Sequence, residues 1–255
     1  MTVCSSLFDT PHPVALVTGS GAKRVGRVIA ETLAARGYRV VTHANRSQAD
    51  AQELAEQFNA TGAGGHWIVG DLAQEAVARR IVQEAYRRWQ RLDVVVNAAA
   101  IWERIPLEST TAEDVLRHFQ VNTLSTFIVS QEAGALMVAQ PTGGVIVQIG
   151  DWAVERPYRD YAAYFPSKGA IPTLTRTLAV ELAARNPRIR VNAVLPGPVM
   201  LPPDLPAAER DAAIAGTLVQ REGSPQNVAD AVVALAENDF ITGVCLPVDG
   251  GRRLA

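Results

Sequence analysis

The stretch VALVTGSGAKRVGRVIAETLAAR, residues 14–36, decides how the rest of the chain is read. Its first part, VALVT (14–18), is a short apolar run rich in β-branched residues, the signature of a buried strand. TGSGAKRVG (18–26) follows, with glycines at 19, 21 and 26. A helical segment then begins near Val25, and Val25, Val28, Ile29 and Leu33 fall on one stripe of it. Gly19, Gly21 and Gly26 allow a tight turn and let the backbone approach a pyrophosphate. The helix offers free N–H groups and the positive end of its dipole. A glycine triplet alone is equally an ordinary turn; its place between a first strand and a helix points to a nucleotide.

Outward from this unit the same alternation continues. Strand-like runs stand at RVVTH (39–43), HWIVG (66–70), LDVVVN (92–97), GVIVQIG (144–150), IRVNAVL (189–195) and VCLPV (244–248). Helical periodicity covers Val25–Arg36, Gln48–Asn59, Gln74–Trp89, Thr111–Val138, a long segment ending near Arg185, and Gln226–Glu237. Strands that read as continuous apolar runs between helices are strands buried on both faces. The fold expected is a single-domain, Rossmann-type α/β fold: a doubly wound parallel sheet of about seven strands with helices on both faces. Residues 1–13 read as an N-terminal extension and 14–255 as the domain. The proline-rich LPGPVMLPPDLP (195–206) opens a substrate loop over about 195–220.

Composition narrows the function. The 255 residues are 48% hydrophobic and 20% charged, and 24 Lys+Arg against 26 Asp+Glu leave a net charge of −2. Disorder and a dedicated nucleic-acid surface are both disfavoured by those figures. Cys4 and Cys245 sit far apart, and His12, His43, His66 and His118 show no ligand spacing, so no metal is expected. The N-terminus has no basic-then-apolar leader and no apolar run reaches the ~18–20 residues of a span, so a soluble cytoplasmic protein is expected.

The end of the second strand bears on which dinucleotide binds. An acidic residue there would bond the ribose hydroxyls and repel a 2′-phosphate. The chain instead has His43-Ala44-Asn45-Arg46-Ser47, with no carboxylate from Gly37 to Ala49. Arg46, 20 residues past Gly26, can pair with a phosphate and Ser47 can donate to it, while Lys23 and Arg24 add positive charge. NADP(H) is therefore the expected cofactor; a solvated loop arginine is the alternative for Arg46.

Tyr164 and Lys168 are four residues apart, on one face of a helix, where an ammonium can lower a phenol's pKa toward working pH. Such a pair is also common on a solvated face. Pro166 and Pro172 each remove a helical N–H, so a kink or interruption is expected there.

The chain resembles the short-chain dehydrogenase/reductase family over essentially its whole length. The resemblance rests on the glycine turn, Asp71-Leu72, Asn97, Asn122, Tyr164-x3-Lys168, Pro196-Gly197 and VDGG (248–251). It implies Tyr164 as acid/base, Lys168 on the nicotinamide ribose, and Asn122 holding a relay water. It implies a cofactor lined by Val25, His43, Asp71, Leu72, Asn97, Ala98, Ala99, Pro196, Gly197 and Val199 beside the residues above. For Asn122 and Asp71, a capping role is the alternative.

Where most members carry a serine, thirteen before the tyrosine, this chain has Asp151. An ionised aspartate only accepts hydrogen bonds, which suits a substrate with ring N–H or amino groups, or a ring nitrogen to be protonated. Asp151, Tyr164, Lys168, KRVGR (23–27), HANRS (43–47), QREGS (220–224) and FITGVCLPVDGG (240–251) together resemble the pteridine reductase subfamily. That resemblance implies Arg24, Trp102, Asp151 and Tyr164 as substrate residues, with Trp102 stacking on a flat ring; lid packing is its alternative. It also implies a homotetramer acting on a small pterin or folate. Three departures stand out: one extra residue between Gly19 and Arg24, Ala98 for a second asparagine, and Ala100 for a serine. The alternatives are a carbonyl or 3-oxoacyl reductase of the same superfamily, or a non-catalytic NADP sensor.

Overall fold

A computed structural model describes residues 7–255. Seven parallel strands form one sheet in the order β3-β2-β1-β4-β5-β6-β7. They are β1 Val14–Thr18, β2 Arg39–Ala44, β3 Gly65–Val69, β4 Val94–Asn97, β5 Gly144–Ile149, β6 Ile189–Pro196 and β7 Cys245–Val248. The helices are α1 Val25–Ala35, α2 Gln48–Ala60, α3 Glu75–Trp89, α4 Ala112–His118, α5 Ser125–Ala139, α6 Tyr164–Ala183, α7 Ala207–Ala215 and α8 Pro225–Glu237.

The strands are apolar because both faces are covered. Ile29 and Leu33 of α1, Leu54 and Phe58 of α2, and Val228 and Val232 of α8 pack on one face. Ile81 and Val82 of α3, Ile128 and Val129 of α5, and Leu178 and Leu182 of α6 pack on the other. The chain order reverses beside β1, which pairs with β2 on one side and β4 on the other. A parallel sheet opens a crevice at the carboxyl ends of its strands at such a reversal. The register puts Thr18 opposite Asn97 and Asn97 opposite Gln148, so the ends of β1, β4 and β5 meet there.

Three local results differ from expectation. The segment read as one helix over Thr111–Val138 is α4, a π-helical stretch Phe119–Leu124, and α5. A capping box at Thr111 fixes its start, Thr111 Oγ1 and Asp114 each satisfying the other's main-chain N–H. Helix α6 runs without interruption through both prolines. Pro166 lies in the first turn, where the N–H has no intrahelical acceptor to lose. Pro172 deletes the donor to the Lys168 carbonyl, at a cost of about 3 kcal/mol. Burial of Ile171, Thr175, Leu178 and Leu182 along the same helix offsets that loss. The third difference is α7, which lies inside the stretch read wholly as a substrate loop.

Residues 1–6, with Cys4, fall outside the described residues. Before β1, Phe8 is buried, edge-on to Tyr38 with ring centroids 6.1 Å apart, and its carbonyl accepts from Arg91. Among the described residues no helix is long and apolar enough to cross a membrane.

Candidate active site

The glycine turn is built by close backbone contact. Gly19 has φ +68°, and a Cβ there would lie 2.8 Å from the Ala99 Cα. A Cβ on Gly26 would lie 2.8 Å from the Gly19 carbonyl oxygen, so α1 starts directly against the turn. Thr18 Oγ1 accepts from the N–H groups of Ala98 and Ala99 at 3.0 and 3.1 Å, tying β1 to the end of β4. His43 holds the turn from the other side. Its Nδ1 accepts from Gly19 N at 3.1 Å, its Nε2 meets the Gly70 carbonyl at 2.9 Å, and its own carbonyl accepts from Gly21 N. Accepting at Nδ1 makes Nε2 the donor, a neutral imidazole, and burial lowers its pKa.

No side chain caps α1, whose N-cap is Arg24. Lys23, Arg24, Arg46 and Ser47 are all exposed around this helix start. None of the cations among them has a side-chain partner among the described residues. A narrow backbone cradle and an uncapped helix N-terminus, with exposed cations beside them, fit the pyrophosphate of a dinucleotide.

The remaining residues expected on the cofactor divide into two groups. Asp71 forms an Asx turn with Ala73 N; Ala98 and Ala99 line the cradle; and Gly197, after Pro196, is held by Val248 O. Leu72, Val199 and the side chains of Asn97 and His43 turn into the protein instead. Leu72 and Val199 are core residues, and Asn97 Nδ2 donates to Ser130 Oγ.

The expected catalytic group converges at the ends of β5 and α6. Tyr164 Oη donates to Asp151 Oδ2 at 2.8 Å, and Asp151 Oδ1 accepts from Ala153 N at 2.8 Å. Lys168 Nζ donates to the Ile149 carbonyl at 2.8 Å, two residues before Asp151. All three are deeply placed, and burial dominates their acidity. It raises Asp151, against the pull of the Ala153 N–H, the Tyr164 hydroxyl and Lys168. It raises Tyr164 well above 10, helped by the Asp151 charge, and brings Lys168 down to about 8. The expected lowering of the phenol's pKa by Lys168 is thus not what the site shows. Its hydrogen-bond partner is a carboxylate, whose charge adds to burial in raising the phenol.

Asn122, inside the π-helical stretch, clamps two segments together. Its Oδ1 accepts from Ile101 N, and its Nδ2 donates to Ile101 O and to Ser167 Oγ. Ser167 in turn donates to the Tyr164 carbonyl at 2.6 Å. Trp102 follows on the clamped loop and lies flat on Tyr161, rings 5.0 Å apart and 14° from parallel. Tyr161 stands edge-on to Tyr164 at 6.3 Å. One indole face is therefore covered, and the residue remains 37% exposed.

Sequence reasoning missed Thr18, Ser167 and Tyr161. Thr18 was visible as a polar end to an apolar strand. Ser167 follows Tyr164 by three residues, the spacing that shares a helical face, whereas Tyr161 precedes the helix on a bridge to Ile105.

A family profile described as enoyl-(acyl carrier protein) reductase matches residues 21–253. Pteridine reductase 1 of Leishmania tarentolae is 34% identical over 95% of this chain and 96% of its own. Ketoacyl reductase 2 named for the granaticin polyketide synthase of Streptomyces violaceoruber is 36% identical over 96% of this chain and 98% of its own. The chain belongs to the short-chain dehydrogenase/reductase family. Acetoin dehydrogenase from Enterobacter cloacae superposes with a TM-score of 0.85 at 30% identity, covering 95% of this chain and 96% of that one. As a short-chain dehydrogenase/reductase, the chain is an oxidoreductase of small molecules that uses a nicotinamide cofactor, in a family that commonly forms oligomers.

Proposed function

We propose that this enzyme is an NADPH-dependent reductase of a C=N bond in a pterin or folate ring, working as a homotetramer in the cytoplasm. The observation that carries the reading is the Asp151–Tyr164 hydrogen bond. A serine at that position donates to a substrate carbonyl, whereas a buried carboxylate accepts from ring N–H and amino groups. The 34% identity to a pteridine reductase supports the same substrate.

Bound NADPH supplies the hydride that reduces the ring carbon. The protein's part is to place the ring and deliver one proton to its nitrogen. Tyr164 donates the proton from Oη to the ring nitrogen and recovers one from solvent after turnover, while Asp151 accepts from the Tyr164 hydroxyl and from the ring N–H and amino groups. Lys168 beneath Ile149 sets the potential at this pair, and Asn122 keeps the Ile101 loop fixed against α6. Trp102 covers the ring with its free face, while Arg24 reaches its edge and the cofactor phosphates. Gly19, Gly21 and Gly26 cradle the pyrophosphate. Arg46 and Ser47, with Lys23, receive the 2′-phosphate.

A 3-oxoacyl reductase is the competing reading, favoured by the 36% identity to a ketoacyl reductase. NADPH oxidation measured with dihydrobiopterin and with an acetoacetyl thioester separates the two. Wild type is expected to consume dihydrobiopterin, and Asp151→Ser to lose about a hundredfold in kcat. Preference for the thioester, with Asp151→Ser as active as wild type or more so, overturns the pterin reading.

A further inference from the structure

Beside the reactive pair, the turn after β5 and the C-terminal turn enclose a cavity of about 300 Å3. Arg156 and Arg252 line it with Trp152, Tyr158, Gly216 and Ala255. Arg252 is built in. Its guanidinium lies 5.3 Å from the centre of the Trp152 ring, and Nη1 donates to the Ala212 and Ala213 carbonyls at 3.1 and 2.8 Å. The space it fills exists because residue 216 is glycine: a Cβ there would stand 1.6 Å from Arg252 Nη1. Arg156 has no side-chain partner among the described residues, and the neighbouring Glu155 faces Arg253 at 3.8 Å instead. Burial first and the charge of Arg156 second lower the pKa of Arg252, against the pull of Tyr158.

The cavity adjoins the proposed chemistry. Trp152 follows Asp151 directly, and Tyr158 is within electrostatic reach of both the Asp151 carboxylate and Arg252. One guanidinium over an indole, with a second guanidinium and a phenol in the same lining, suits a planar, apolar linker ending in an anion.

We propose that this cavity takes an anionic substituent, a carboxylate or phosphate, carried by the substrate whose ring lies against Asp151 and Tyr164. The proposal rests on the ring-reduction reading for the position of the ring but not for the anion's contacts. Its test uses benzoylglutamate, an aromatic dicarboxylate with nothing to reduce, titrated calorimetrically into the full-length protein. Arg156→Gln removes one charge, and Gly216→Ala displaces Arg252 while keeping both; residue 216 has φ −78°, which alanine adopts. Benzoylglutamate is expected to bind wild type and to bind each variant about tenfold more weakly, the scale of one charge-assisted hydrogen bond. The KM for dihydrofolate should rise by a similar factor in both variants, with that for the neutral-tailed dihydrobiopterin unchanged.

Failure of wild type to bind benzoylglutamate overturns the proposal, as do equal KM changes for the two substrates. Displacement of benzoylglutamate by sulfate at concentrations that leave the dihydrofolate KM untouched also overturns it, since the cavity then serves a free anion. If neither pterin is reduced yet benzoylglutamate binding depends on Arg156 and Gly216, the ring reading falls and the anion site stands.

Discussion

The main-chain N–H of Gly19 donates to Nδ1 of His43, 3.1 Å away, so the glycine turn is held by a buried imidazole that must stay neutral. A proton on Nδ1 would remove that acceptor and place a charge beneath the cofactor cradle.

A pH-dependent stability follows. Folding lowers the His43 pKa below its ordinary 6.5, mainly by burial; the Gly70 carbonyl and Asp71 oppose the shift and Arg80 assists it. Below about pH 6.5 the unfolded chain therefore binds a proton that the folded chain refuses, and stability falls with pH until the folded pKa is reached. The limiting slope for one group is about 1.4 kcal/mol per pH unit. His43→Gln, which can still accept at one amide atom and donate at the other, should flatten thermal midpoints measured between pH 7 and 5. An acid limb as steep in the variant as in wild type would assign it to other groups, His66 first among them.

Lys168 should set the alkaline limit of activity. Its ammonium survives only to about pH 8, because burial outweighs the attraction of Asp151. Once neutral, it no longer opposes the rise in the pKa of Asp151, the group that Tyr164 donates to and that receives the ring. The expected profile is a kcat/KM for reduction that declines as pH rises through about 8. Lys168→Met should give a low rate with no inflection there. A wild-type profile flat to pH 10 would place the titrating group elsewhere.

Tyr164→Phe removes the hydroxyl that donates to Asp151 and leaves the ring packed among Tyr161, Phe165 and His118. Loss of a positioned proton donor costs about 10²–10⁴ in rate, so kcat should fall on that scale. Cofactor affinity, read by quenching of tryptophan emission, should change by less than about threefold, because no cofactor-cradle residue has moved. Turnover within tenfold of wild type would exclude Tyr164 as the donor.

How far the sequence disclosed all this depended on the range of each interaction. The sheet was legible because strands buried on both faces must be apolar throughout, as Val94, Val95 and Val96 are. The π-helical stretch at Phe119–Leu124 was not, since shifting a hydrogen bond by one residue leaves the apolar stripe of Thr111–Val138 almost unchanged. Arg24, Arg46 and Tyr164 could be placed from spacing to a strand or helix end. His43 was grouped with the cofactor residues for its neighbours in sequence, yet its ring points inward between Gly19 and Gly70, contacts 24 and 27 residues away. Trp102 against Tyr161 likewise depends on two loops meeting, one bridge of which pairs Ile105 with Tyr161.

Arg46 tests the cofactor. It stands exposed after β2, with no side-chain partner among the described residues, three residues past the histidine that anchors the glycine turn. A charge-assisted contact to a 2′-phosphate contributes about 1.5–3 kcal/mol, so Arg46→Ala should weaken NADPH binding by about 10–100-fold and leave NADH within about twofold. Equal losses for the two cofactors would mean that Arg46 holds structure and not phosphate.

Trp102 offers one free face, because Tyr161 covers the other at 5.0 Å. If the free face covers a flat substrate ring, Trp102→Ala should raise the KM for dihydrobiopterin by about tenfold, the upper range of an aromatic pair, while Trp102→Phe keeps most of the affinity. Tyr161→Leu should reproduce part of the loss without touching substrate, by freeing the indole to rotate, and its emission anisotropy should fall. Should Trp102→Ala leave the KM unchanged while lowering the thermal midpoint, the indole's work is to pin the Ile101–Ile105 loop onto Tyr161, and the ring must be held by Asp151 and Arg24 alone.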